Sequence, residues 1–458
     1  MAGYHLFSTG EVLSAANVND YLMKQTVMIF ASASARTTAL SGVVREGMIS
    51  YRTDSHITEY YNGSAWVTLG STLTTKGDIQ VYDTAPNRLS TTPSTSTTPL
   101  TVTSSTQGYA LVQDQAPAVG LNYTPFQVAG KNKIINGDFW WNQRNFISNT
   151  TAIYGFDRWA QAFSGGTSVT NSAQVFTPGT APVAGYEGKN YNRQVTVGQS
   201  AAGDYAQIIQ RIESVRTLAN QTATISFWAK AGSGTPKIAV ELQQNFGTGG
   251  SPSATIYTYA GQVTLSTSWA RYSVTVAVPS ISGTTIGTNN DDMLILALWT
   301  SGGTTYNART GSMGVQNNTF DFWGVQVEAG SVATPFQTAT GTLQGELAAC
   351  QRYYYRISGG TAYNAFGVGQ GKSTTVAGLV IPFPVTMRTD VTTLDYSLVA
   401  VSDGAGLSNA SSAVINTGQT GKNSSYVEFT SSGLTQYRPY VGLFQNNSAG
   451  YIGFSAEL

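Results

Sequence analysis

Charge is the scarcest property of this sequence. Of 458 residues only 24 are Lys or Arg and 24 are Asp or Glu, a charged fraction of 10%, where a soluble domain ordinarily carries about 25%. The formal net charge is zero, so nothing in the balance marks out a surface for nucleic acid or anionic lipid. Imidazole and thiol are nearly missing as well. His5 and His56 are the only histidines and Cys350 the only cysteine. That excludes a disulfide within the chain, a Cys/His zinc cluster, and Ser-His or Cys-His catalysis in the body of the protein. Cys350, in Leu347-Ala348-Ala349-Cys350, reads as a small buried hydrophobe. Long apolar runs are absent too. The longest, 293–299, falls far short of the roughly 20 residues that span a bilayer. Met1-Ala2-Gly3-Tyr4-His5 does not open a secretory signal. The expectation is a soluble chain without membrane insertion, exported, if at all, by another route.

Uncharged polar residues, 49 glycines, 25 Tyr, 18 Phe and 8 Trp fill the space. So many rings argue against disorder, and Ser, Thr, Asn, Gly and Tyr favour strands joined by turns. The length suggests about three domains. Residues 1–70 read as a small attachment module. A helix is expected over 11–30, then strands near Gly47-Met48-Ile49-Ser50-Tyr51, Thr58-Glu59-Tyr60-Tyr61 and Ala65-Trp66-Val67-Thr68-Leu69, with Asn62-Gly63 as a hairpin turn. A unit this small buries little core by itself, so it is expected to pack on copies of itself or on a docking partner. Residues 71–127, with a Ser/Thr/Pro run at 90–99, read either as a solvated linker or as a slender β shaft.

Residues 128–345 carry repeated alternation. Ala223, Ile225, Phe227 and Ala229 alternate with Thr224, Ser226, Trp228 and Lys230. Tyr272, Val274, Val276 and Val278 alternate with Ser273 and Thr275. Many such strands with few helices predict a jelly-roll β-sandwich. The 293–299 run, apolar on both faces, is expected at its centre. Glu346 to Tyr355 predicts a helical turn entering a strand. Residues 346–458 then supply a second, smaller β-sandwich, and the fold class is mainly β.

Several stretches resemble phage tail-fibre and minor tail proteins. Phe7-Ser8-Thr9-Gly10-Glu11 through Tyr21-Leu22-Met23-Lys24-Gln25, with Tyr60-Tyr61-Asn62-Gly63, resembles their N-terminal module. Thr74-Thr75-Lys76-Gly77-Asp78-Ile79 and Gln107-Gly108-Tyr109-Ala110-Leu111 resemble a shaft repeat. Ile134-Ile135-Asn136-Gly137-Asp138-Phe139, Ser226-Phe227-Trp228-Ala229-Lys230 and Phe320-Asp321-Phe322-Trp323-Gly324 resemble the carbohydrate-binding-module-like jelly roll of such proteins, and Cys350-Gln351-Arg352-Tyr353-Tyr354 resembles its exit. Beyond residue 356 the likeness is loose. The resemblance implies a virion structural protein, a homotrimer held to other tail or neck proteins by its N-terminal module, with distal β-domains presented to host surface glycan.

Sugar binding uses a flat ring against a pyranose face, with amides, Asp or Arg on the hydroxyls. Candidates are Trp140 and Trp141, which on a strand would face opposite ways; Trp228, on the polar face of its strand; Tyr306, Asn307 and Arg309 in a Gly/Thr-rich loop; and Tyr437, Arg438 and Tyr440 near the end. Phe156-Asp157-Arg158-Trp159 reads as structural, with Asp157 bonded to backbone or to an arginine. Related sandwiches hold a structural calcium, and Asp138 and Asp321 are the candidate ligands for Ca2+ here; no other cofactor is expected. Two functions from different classes follow. One is a non-enzymatic adhesin. The other is a depolymerase, which needs two carboxylates about 5–9.5 Å apart, and the shortage of acids counts against it. A purely structural capsid, neck or collar fibre is the alternative that requires no glycan.

Overall fold

The computed structural model describes residues 9–18, 27–69 and 129–458 except 184 and 185, together with the backbone of short strands at 80–82, 86–88, 109–113 and 121–125. The Ser/Thr/Pro run and most of 71–127 lie outside the described residues. The chain divides into two compact units, Met1–Thr124 and Pro125–Leu458.

In the first unit the expected helix over 11–30 is corrected. Among the described residues of that span, helix occurs at Ala15–Asn17, where the Ser14 hydroxyl accepts from the Asn17 N–H at 3.1 Å. Val27–Phe30 is instead a strand, parallel to Ile49–Arg52. Residues 19–26 lie outside the described part. The run Val-Met-Ile-Phe prefers a pleated surface, and the sequence then turns to a helix at Ala33–Ala39, capped by Ser32. Ile57–Tyr61 and Trp66–Leu69 complete the four-stranded sheet as expected. Its described interior is thin. Leu40 and Met48 are the buried hydrophobics, beside an Arg36–Glu59 ion pair with Trp66 against the guanidinium, while Val27 and Ile29 stay exposed.

The second unit holds two main cores and a smaller buried cluster on the outer face of one sheet. The larger lies between two antiparallel sheets. One runs in the order Trp159–Ser164, Tyr205–Glu213, Met293–Gly302, Lys237–Asn245, Ile256–Thr264. The other runs Ala270–Ala277, Thr222–Ala231, Thr319–Ala329, Asn190–Val197, Ser168–Val175, Ser148–Asn149. Period-2 alternation sends Ala223, Ile225, Phe227 and Ala229 inward, all 0% exposed. Met293–Gly302 occupies the middle of the five-stranded sheet. Its even residues Leu294, Leu296 and Leu298 face the large core, and Ile295, Ala297 and Trp299 pack on the outer face. That double burial explains a run apolar on both sides.

Leu343–Gln351, capped by Thr342, is a helix with Cys350 fully buried. It leads into Tyr354–Ser358, which joins Tyr451–Ser455 and Thr393–Ser397 in a three-stranded sheet. A seven-stranded sheet centred on Ala365–Gly371 covers the second core, built on Phe366, Leu379, Phe429, Phe444 and Phe454.

Residues from both sandwiches meet in a buried polar cluster. Arg158, 1% exposed, pairs with Glu457, and its guanidinium lies 3.4 Å from the Tyr353 ring centre. Arg144 reaches Glu457 at 3.3 Å and Asp157 at 3.6 Å. Asp157 also accepts the Gln143 N–H at 3.1 Å, so both expected partners of that carboxylate, backbone and an arginine, are present. Arg388 donates to the carbonyls of Ala456 and Glu457.

Candidate functional site

The Asn136 turn sets up a cleft between the two sandwiches. Asn136 adopts φ 57°, a left-handed conformation that Asn tolerates well. Its side chain accepts the Trp141 N–H at 2.9 Å and donates to the Trp141 carbonyl at 2.8 Å. Its own N–H donates to Glu346 of the helix, and its carbonyl accepts the Trp159 indole N–H. Asn142 closes the next turn through both the N–H and the carbonyl of Phe146. Gln143 reaches across to the Tyr354 carbonyl at 2.7 Å.

This anchoring corrects the expectation for the two tryptophans. They lie on a pinned loop rather than a strand, so the alternation rule does not separate them. Both are half-buried and line one cleft of about 630 Å³. Asn145, Lys189, Leu347, Gln351, Arg356 and Ser358 share the wall. The side chains of Asn145 and Gln351 have no protein hydrogen bond among the described residues. The Trp141 indole N–H and the Arg356 Nε–H are buried donors without a partner.

Tyr306 and Arg309 come together on the outer face of the five-stranded sheet, but among themselves. Arg309 forks onto Glu241 at 2.7 and 2.8 Å. Glu241, 0% exposed, also accepts the Trp299 indole N–H at 3.2 Å and the Gln243 amide at 2.9 Å. Burial weakens a charged guanidinium, but the Glu241 partner outweighs it and raises the Arg309 pKa. Tyr306 packs edge-on against Tyr205 and tilted against Trp299, with ring centres 5.0 and 5.3 Å apart. Tyr257, under Arg309 at 4.0 Å, remains exposed there, and Asn307 starts an exposed helical turn.

The remaining candidates disperse. Trp228 packs against the large core, close to Gly324 and Phe336, with its indole N–H buried; it is not surface-directed. It keeps the face opposite Phe227, but that face is covered there, with Ser226 and Gln326 also 0% exposed. Tyr440 is 4% exposed within the second core, its hydroxyl accepting the Thr435 N–H, so it is a packing residue. Arg438 pairs with Asp403 at 3.1 Å, and Tyr437 is exposed.

Asp138 and Asp321 close on separate partners. Asp138 accepts the Tyr186 hydroxyl at 2.8 Å, and burial raises its pKa. Asp321 is forked by Arg193 at 2.7 and 2.9 Å, with Lys230 at 3.7 Å. Among the described residues no group of three or more His, Cys, Asp or Glu is placed to hold a metal ion.

Sequence reasoning missed Lys189, Gln351 and Arg356 as neighbours of the tryptophans. They come from segments 49 to 216 positions along the chain from Trp140, and no local pattern signals that convergence.

No family model and no curated protein matches the chain. Among solved structures it is similar to the enzymatically active domain of bacteriophage CBA120 tailspike protein 4, at 13% identity and TM-score 0.27, covering 46% of this chain and 22% of that one. A CBM4 structure matches at 20% identity and TM-score 0.23, covering 43% of this chain and 98% of that one. The family 11 carbohydrate-binding module from Clostridium thermocellum matches at 11% and 0.25, covering 41% and 98%. The chain thus spans about a fifth of the tailspike chain it matches.

Proposed function

We propose that the chain is a non-catalytic, glycan-binding virion protein, a tail fibre or minor tail protein, and that it holds a surface saccharide in the cleft between its two β-sandwiches. The observation that carries the binding reading is the pairing of Trp140 and Trp141 in one open cleft with the uncommitted amides of Asn145 and Gln351. Rings supply faces for pyranose C–H groups and amides supply hydroxyl partners. The volume lies within the roughly 300–1,000 Å³ of ligand sites.

A depolymerase is disfavoured by the same wall. Among the described residues no carboxylate lines the cleft, and acid/base hydrolysis needs two. On the other sheet face Glu241 is already engaged by Arg309, Trp299 and Gln243. The virion assignment rests on the N-terminal, shaft and jelly-roll motifs. A trimer, docked on other tail or neck proteins through the first unit, would present three clefts. Copies engaging together raise apparent affinity about 10²–10⁴-fold over a single weak site.

The test is calorimetric titration of the full chain with host surface polysaccharide fragments. Trp140→Ala with Trp141→Ala should lower affinity at least about tenfold while the unfolding midpoint shows the protein still folded. Undiminished binding by the folded double variant would remove the cleft from the mechanism. Detecting the chain in purified phage particles by mass spectrometry checks the virion assignment.

A further inference from the structure

The charges lining the cleft are all of one sign. Lys189 and Arg356 lie on its wall, and among the described residues no Asp or Glu does. In a chain with so few charges, five arginines of this unit each have a carboxylate partner, Arg158 with Glu457, Arg193 with Asp321, Arg309 with Glu241, Arg352 with Glu213 and Arg438 with Asp403, while Arg211 and Arg388 bind a hydroxyl and carbonyls instead. Lys189 and Arg356 have no carboxylate within ion-pair distance among the described residues. Lys189 is exposed, its ammonium 5.7 Å from the Trp140 ring centre. Arg356 donates through Nη1 to the Arg144 carbonyl at 2.8 Å and lies 3.6 Å over the Tyr451 ring, leaving Nε unpaired. Asp395, on the same sheet as Arg356 across the Tyr451–Ser455 strand, is engaged by the Tyr354 hydroxyl at 2.9 Å.

From this we infer that the cleft selects an acidic saccharide, one bearing a carboxylate such as a uronate or sialate unit, with Lys189 and Arg356 facing the carboxylate and the tryptophans facing the sugar ring. The inference rests on the glycan reading above. A neutral sugar needs only rings and amides, and it would leave the buried Arg356 Nε–H without an acceptor and the Lys189 charge unused. A carboxylate supplies the missing partner through charge-assisted hydrogen bonds, and a guanidinium donor is well suited to it. The same positive wall raises the local concentration of anionic chain ends, an effect that weakens with salt.

Full-length protein would be titrated with oligogalacturonate and oligosialate, with the same oligosaccharides after carboxyl reduction to the alcohol, and with neutral xylo- and gluco-oligosaccharides. The acidic forms should bind at least about tenfold more tightly than their reduced counterparts at low salt, and the preference should shrink as salt rises. Lys189→Glu, at an exposed and unpaired position, should abolish the preference without moving the unfolding midpoint. Equal binding of acidic and reduced forms, still sensitive to Trp140→Ala, would overturn the charge inference and leave the glycan reading standing. If no saccharide binds, or Trp140→Ala leaves binding intact, the reading of the cleft fails and the inference with it.

Discussion

Asp157 is a carboxyl held against its own preference. Burial pushes it from 3.8 to about 6, against the nearby Arg144 guanidinium and the Gln143 N–H, which favour the ionised form. The folded state therefore holds the proton more tightly than the unfolded chain. The contribution of this group is fully present below about pH 4 and is lost as pH rises through about 6, on the order of 2–3 kcal/mol in all. Asp157→Asn should flatten that part of the stability curve in denaturant titrations at pH 4, 5, 6 and 7; parallel curves for the two proteins would sink the assignment. Glu241 offers the opposite case, a buried carboxylate with its partners in place. Arg309→Ala strands it, at a cost of about 3–5 kcal/mol. Replacing the pair together, Glu241→Gln with Arg309→Met, should cost clearly less. A double variant as unstable as the single one would show that lost packing, rather than the stranded charge, is what matters.

At the scale of elements, the strands were legible because one face of each is buried. The alternation at 223–229 is reproduced residue by residue, and the two-faced 293–299 run sits at the sheet centre. Loops and register shifts were not legible. Trp140 and Trp141 fall on one cleft because Asn136 pins their loop, and that bond joins residues five apart with no strand between them. Trp228 is on its expected face, but that face is covered, with Gly324 and Phe336 beside the ring. This glycine has φ +62°, and a Cβ placed there would lie 2.9 Å from the Trp228 ring. Gly324→Ala should therefore cost about 1–3 kcal/mol. A midpoint within experimental error of the parent would mean that the strand and ring can shift apart freely. The helix expected over 11–30 fails at Val27-Met28-Ile29-Phe30, whose side chains favour a strand.

Across the whole molecule, the second unit is two cores joined by one polar cluster. Glu457 is the residue both sides share, taken by Arg158 and Arg144 from the jelly roll and held in place by Arg388 on its own carbonyl. Glu457→Ala should cost about 3–5 kcal/mol by leaving Arg158 buried and unmatched. Calorimetry should then resolve two transitions for this unit where the parent shows one; a single transition in the variant would mean that the cores are coupled by other contacts. The cluster also imposes an order on biosynthesis. Arg158 and Glu457 are 299 positions apart, so at about 5–20 residues per second the ribosome needs roughly 15–60 s to deliver the second after the first. The last jelly-roll strand ends at Ala329, so for roughly the final 6–26 s of that interval the jelly roll has all its strands and lacks the counter-ion for its most deeply buried arginine. The nascent domain waits, its strands complete, for Glu457 to lock it.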